Sequence, residues 1–351
     1  MAQPYRNRKA GVATWARRLG LGLGLVSGFV AGPVAAADGA AVFLYHRFGE
    51  SRYPSTNIGL PQFEAHLREL KSGGYAVLPL QDVLDAVRTQ KPLPDRAVAL
   101  TIDDAHLSAY AEAWPRLKAA GFPFTLFIAT DPVDAKTPDY MNWDQIREFV
   151  RGGVAIGSQT ASHPHMPGMA ADAVKAELAK SNARFQAELG LTPTIFAYPY
   201  GEASLANYGP VRDAGFQFAL GQHSGVVGSV PDLYYLPRFA LNESFGDLDR
   251  FKRAANALPL PVRDVTPLDP FITTNNPPAI GFTVADSVVN LDRLRCYSSS
   301  ESSAKIERLG EKRFEIRLSG PLPKGRSRLN CTAPGPGGRW QWTGWQYYVR
   351  P

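Results

Sequence analysis

Thr101-Ile102-Asp103-Asp104 sets two carboxylates side by side at the end of an apolar, β-like run, residues 97–102. Neighbouring side chains at a strand end point to different faces. One acid can therefore bind a cation while the other stays free to accept a proton. Two further clusters follow runs of the same kind: Gly157-Ser158-Gln159-Thr160-Ala161-Ser162-His163-Pro164-His165, and Phe196-Ala197-Tyr198-Pro199-Tyr200-Gly201. Each alone has an ordinary explanation. An Asp pair caps a helix or makes a turn, a loop histidine is solvated, and Tyr-Pro-Tyr-Gly is a turn. All three follow strands of one βα series, which is where barrel enzymes carry their reactive groups, and this order favours a functional site over the separate ordinary readings.

The elements that must hold these clusters are legible as seven short apolar runs: 41–45, 75–78, 97–102, 124–128, 154–157, 195–197 and 218–220. Helical periodicity fills the gaps, for example Phe63, Leu67 and Leu70, or the long stretch 170–189. Pro115 marks a boundary or kink in the helix carrying Tyr110, Trp114 and Leu117. Strands alternating with helices imply parallel pairing and right-handed crossovers, so the expected class is α/β, a distorted (β/α) barrel, with an open doubly wound sheet as the alternative. No Gly-rich phosphate loop follows any strand, which argues against a nucleotide fold. Past residue 239 the character changes. Residues 257–279 read as a Pro-rich linker, and 280–351 as a small all-β, sandwich-like module with short runs separated by Gly, Pro and Ser. Its aromatic run, Trp340, Trp342, Trp345, Tyr347 and Tyr348, reads as core packing ahead of sugar stacking. Alternation puts Trp340 and Trp342 on one face, with Trp345 and Tyr347 on the other.

Of 351 residues, 44% are hydrophobic and 20% charged, which excludes collagen-like, disordered and disulfide-dense classes. The net charge of +6 is unevenly spread. Residues 1–37 hold +5 and 277–351 hold +6, leaving −5 on 38–276, so a basic nucleic-acid groove is not expected. Arg6, Arg8, Lys9, Arg17 and Arg18, the apolar stretch 19–30, and Ala35-Ala36-Ala37 before Asp38 read as a cleaved signal peptide, 1–37, with no stable membrane span afterwards. That assigns the chain to the periplasm or exterior, where Cys296 and Cys331, the sole cysteines, are free to form a disulfide. Two cysteines exclude a Cys-ligated zinc site.

The order Tyr45-His46-Arg47, TIDDA, SQTASHPH, AYPYG resembles the polysaccharide deacetylase family (carbohydrate esterase family 4, the NodB-homology domain) over roughly residues 41–240, and the domain is expected to span 38–256. The resemblance implies a NodB-type barrel that hydrolyses N-acetyl groups of an amino-sugar polymer of the cell envelope. It also implies a divalent metal, zinc in most members, with nickel, cobalt or iron as alternatives. It assigns Asp103 as general base, Asp104 and His163 as metal ligands, and the Tyr200 backbone N–H as oxyanion donor. Three departures stand out. The first histidine of the family's H-[ST]-x-x-H motif is Gln159, a weaker neutral ligand. The arginine before Pro-Tyr-Gly is Ala197, for which Arg238 is a substitute from a later strand end. The late acid histidine is missing, and His223 is the candidate. His46, Tyr198, Pro199 and Arg238 are expected to line the substrate site, while His106 reads as a surface residue at a helix start. These departures keep two alternatives open: a glycan-binding scaffold on a degenerate fold, or a related C–N amide hydrolase.

Overall fold

The computed structural model describes residues 36–228, 232–300 and 304–351. Residues 1–35 of the expected leader lie outside the described residues, while Ala36–Ala37 pair with Leu93–Pro94. The seven apolar runs form β1 (Gly39–Tyr45), β2 (Ala76–Val77), β3 (Ala97–Ile102), β4 (Thr125–Ile128), β5 (Ala155–Ser158), β6 (Ile195–Ala197) and β7 (Phe218–Leu220). β1, β3 and β4 are buried at every residue, which is why they read as continuous apolar runs without alternation.

Neighbours in the order β7-β6-β5-β4-β3-β1 are all parallel, with β2 beside β3. β8 (Val227–Gly228) runs antiparallel and β9 (Phe239–Ala240) parallel to β1, making nine strands among the described residues. An isolated bridge between Leu220 and Leu236 completes the curl. The sheet is a distorted barrel, and its crossovers are helical. The helices are α1 (Leu60–Ser72), α2 (Leu80–Thr89), α3 (Trp114–Ala120), α4 (Thr130–Asp134), α5 (Trp143–Arg151), α6 (Ala171–Leu189), α7 (Leu205–Asp213) and α8 (Leu248–Ala255). Pro115 falls in the first turn of α3, directly after a π-helical turn, Ala109–Ala113, where its missing N–H is tolerated.

His66 on α1 is fully buried against α8, its ring stacked 4.1 Å from Phe251. Its ring nitrogens meet the Tyr45 hydroxyl at 3.1 Å and the Gly246 carbonyl at 2.8 Å. Burial pulls its pKa from 6.5 to about 4 against the opposing pull of the Gly246 carbonyl and Asp247. The folded state thus refuses a proton that the unfolded chain accepts below pH 6.5. Stability falls as pH drops through the window from 6.5 to 4, by about 3 kcal/mol at pH 4. Urea unfolding at pH 7 and pH 4 should show this loss in wild type and most of it removed in His66→Gln. Equal losses in both proteins would refute the assignment.

The C-terminal part comprises β10 (Leu258–Pro259), β11 (Val262–Thr266), β12 (Phe271–Ile272), β13 (Ile280–Val284), β14 (Arg295–Ser298), β15 (Lys305–Leu309), β16 (Arg313–Arg317), β17 (Gly325–Pro334) and β18 (Trp340–Val349). One sheet runs β10-β18-β17-β14, with β12 also on β18, and the other β11-β13-β16-β15. Phe282, Phe314, Ile316, Leu329 and Tyr347 fill the space they enclose. Residues 257–279, expected as a linker, thus contribute three strands. The prolines misled because Pro259 occupies a two-residue edge strand, a position where a missing donor is tolerated.

β18 serves two cores. Trp345 and Tyr347 face the β-module, whereas the Trp342 ring packs 5.1 Å from Phe239 of the barrel. Barrel and module accordingly form one compact unit. Cys296 and Cys331 sit directly opposite on β14 and β17 and are disulfide-bonded. Closing a loop of 35 residues is worth roughly 2–4 kcal/mol. Reduction should lower unfolding stability by that amount and expose two thiols. Identical thiol counts with and without reductant would contradict the bridge. No helix among the described residues is long and apolar enough to cross a membrane.

Candidate active site

The site lies where β1, β3, β5 and β6 end. Asp103 follows β3, its N–H donating to the Tyr45 carbonyl at 2.9 Å. Its carboxylate is fully buried. Arg238, also fully buried, grips it with both terminal nitrogens, Nη1 to Oδ1 at 2.7 Å and Nη2 to Oδ2 at 2.9 Å. The guanidinium is seated by the Gly221 carbonyl at 2.9 Å and the Thr101 hydroxyl at 3.2 Å. Gln159 Nε2 donates a third bond to Oδ2 at 3.0 Å. A carboxylate offers about four lone-pair sites, so one remains, on Oδ1.

Asp104 turns the other way. Its backbone is left-handed (φ 74°), and its N–H donates to Gln159 Oε1 at 3.1 Å. Its carboxylate meets His106 Nε2 at 3.3 Å through Oδ2 and His163 Nε2 at 3.4 Å through Oδ1. Burial alone would raise its pKa. The His106 hydrogen bond and the nearby His46, His163 and His106 rings outweigh that and hold it well below the usual carboxylate range. His46, after β1, feels the charges of Asp104 and Asp103 and is partly exposed; burial lowers its pKa despite those two acids.

The loop after β5 is held by Glu177 on α6, which accepts from the N–H of Ala161 at 3.2 Å and of Ser162 at 2.8 Å. Asp104, Ala105, Thr160, His163 and Tyr200 all have positive φ. Non-glycine residues in that region cost of order 1–3 kcal/mol each and gather where function over-determines the backbone. The Tyr200 ring is 4.5 Å from His163 and stacks 4.3 Å from His165. Gly201 has φ 69°, and a Cβ there would lie 2.5 Å from the Gln222 amide nitrogen, so only glycine fits this turn. The β-module buttresses the same turn: Gln346 Nε2 donates to the carbonyls of Tyr200 at 3.0 Å and Gly201 at 2.8 Å.

Several sequence expectations change here. Tyr198, Pro199 and Arg238, expected to touch substrate, are buried; the Tyr198 ring packs on Phe196, Tyr208 and Tyr235, and Arg238 is committed to Asp103. His223 is buried against Tyr235, and burial together with Arg328 and Arg238 lowers its pKa to about 3, which ill suits a proton donor. His106, read as a surface residue, is buried beside Tyr140. The chain reverses at Asp104 and Ala105, a turn no periodicity announces. His165 is exposed and pairs with Glu202 at 2.6 Å, away from Asp104.

Among the described residues no three His, Cys, Asp or Glu side chains already converge as a metal centre. The donor chemistry still suits a divalent ion of the zinc type: an ionised carboxylate flanked by two imidazole Nε2 atoms.

Comparison with known proteins bears on the fold and the family. Residues 90–219 match the polysaccharide deacetylase family. The Bacillus subtilis (strain 168) protein YxkH is 26% identical over 198 residues, 56% of this chain and 69% of that protein. The poly-beta-1,6-N-acetyl-D-glucosamine N-deacetylase of Staphylococcus aureus (strain N315) is 24% identical over 217 residues, 57% of this chain and 73% of its own. The structure of IcaB from Ammonifex degensii superposes with a TM-score of 0.57 at 27% identity, covering 63% of this chain and 99% of that one. Residues 90–219 are thus similar to the polysaccharide deacetylases, and the barrel that carries them has the NodB-type fold of those structures.

Proposed function

We propose that the protein hydrolyses N-acetyl groups of an N-acetylglucosamine polymer of the cell envelope, with a divalent metal as cofactor. The observation that carries this reading is the split of the acidic pair: Asp103 clamped by Arg238 and Gln159, and Asp104 turned between two imidazoles. Asp104 and His163 would hold the metal, which would supply polarisation of the acetyl carbonyl and acidification of a water. Asp103 accepts the proton of the attacking water at its unfilled Oδ1 site, and Arg238 and Gln159 keep the carboxylate from turning. The Tyr200 backbone N–H steadies the oxyanion, from a turn that Gln346 anchors. The proton that Asp103 takes from the water then passes to the departing amine, since His223 is buried with a lowered pKa and ill suits that task.

The paired cysteines support a periplasmic or secreted location. The relatives named for poly-N-acetylglucosamine support the substrate class. Acetate release from β-1,6-linked N-acetylglucosamine oligomers should be abolished by chelator and restored by zinc, cobalt or nickel. No release with any metal, alongside retained polymer binding, would turn the reading to a glycan-binding scaffold. The completely buried Asp103 is the feature that would favour that outcome.

A further inference from the structure

We propose that His106 supplies the second imidazole of the divalent-metal site, and that Gln159, standing where the family carries a metal-binding histidine, instead ties the two carboxylates together. The inference rests on the deacetylase reading and names the ligand set that the site would use.

Gln159 is fully buried and engaged at both ends. Its Nε2 donates to Asp103 Oδ2 at 3.0 Å, and its Oε1 accepts the Asp104 N–H at 3.1 Å. An imidazole could not serve both groups in this way, because a neutral ring has one donor and one acceptor on separate, rigidly divergent edges. With its amide so placed, Gln159 fixes the angle between the two acids, a positioning task.

His106 occupies the place left open. Its side chain is 4% exposed, and Nε2 lies 3.3 Å from Asp104 Oδ2 while His163 Nε2 lies 3.4 Å from Oδ1. Donor atoms on a four-coordinate zinc with bonds of roughly 2.0–2.1 Å stand about 3.3 Å apart, the spacing of each imidazole from its own carboxylate oxygen; the two rings approach opposite oxygens, so the three side chains must close further on a single ion. The backbone is bent to bring this about. Asp104 (φ 74°) and Ala105 (φ 53°) are successive left-handed non-glycine residues, and they fold His106 back over the carboxylate that precedes it. An isolated backbone bridge between His106 and Tyr140, with the rings 4.7 Å apart, locks it there. Its Nδ1 is buried without a partner, so packing alone orients the ring and Nε2 is its one engaged atom.

The test is zinc affinity, measured on the full chain by competition with a chelating dye, with imidazoles counted by zinc-edge X-ray absorption. Wild type should hold one zinc with two imidazoles. His106→Ala should weaken binding by about 100-fold or more, as should His163→Ala, and leave one imidazole on the zinc. Gln159→Leu, which removes only a supporting contact, should weaken it by about tenfold. His106→Asn provides a second variant should His106→Ala fail to fold, with thermal melting as the check. Affinity of the His106 variants within about threefold of wild type, or a larger loss in Gln159→Leu than in His106→Ala, overturns the assignment while leaving a metal-dependent enzyme in place. A wild-type chain that binds no zinc, cobalt or nickel overturns the functional reading as well.

Discussion

Asp103→Asn is expected to lower turnover in acetate release by about 10²–10⁴-fold, the usual worth of a positioned general base. The geometry says why no neighbour can take over. Asp104 has its carboxylate between His106 and His163, and Glu202 is paired with His165 away from the acidic pair. Because Asp103 lies beneath the site and is wholly buried, the loss should fall on kcat with KM nearly unchanged. An asparagine also turns an N–H group toward a region already filled by three donors, Arg238 Nη1 and Nη2 and Gln159 Nε2. Turnover within tenfold of wild type would remove Asp103 from the reaction.

The second large effect concerns stability. Arg238→Met is expected to destabilise the fold by about 3–5 kcal/mol, because it strips the partner from a buried charge. Asp103→Asn should cost a comparable amount for the converse reason, leaving the guanidinium without its anion. In the double variant, Asp103→Asn with Arg238→Met, neither charge remains, and unfolding stability should recover by at least about 2 kcal/mol over the sum of the single changes. Activity should stay lost. This separation matters, since it distinguishes a base held in place from an ion pair that merely staples β3 to the segment before β9. Additive losses would mean that the two groups do not depend on each other, contrary to their two bonds of 2.7 and 2.9 Å.

Much of the scaffold was legible in the chain. The runs at 97–102 and 124–128 are strands because parallel strands covered on both sides need apolar residues throughout, and that leaves a continuous signal. The acidic pair and the Tyr-Pro-Tyr-Gly turn announced themselves by composition and by following such strands. What stayed hidden depended on distance along the chain or on backbone reversal. Arg238 reaches Asp103 across 135 residues, and nothing in Leu236-Pro237-Arg238-Phe239 distinguishes a buried clamp from a surface arginine. His106 was misread because a histidine after a strand end usually continues outward into the next helix, and the left-handed Asp104-Ala105 pair turns it inward instead. Residues 257–279 were read as a linker because their prolines obscure three short strands that are anchored by partners elsewhere in the chain. The β-module's contact with the site, Gln346 on the Tyr200 turn, carries no sequence signal, being one glutamine in an aromatic strand.

The most direct test is anomalous diffraction from crystals grown with zinc. The account predicts a single strong peak bound by the side chains of Asp104 and His163, with Asp103 unligated and still paired to Arg238. A peak on the Asp103 carboxylate, or an ion held elsewhere with 104 and 163 bare, would contradict it.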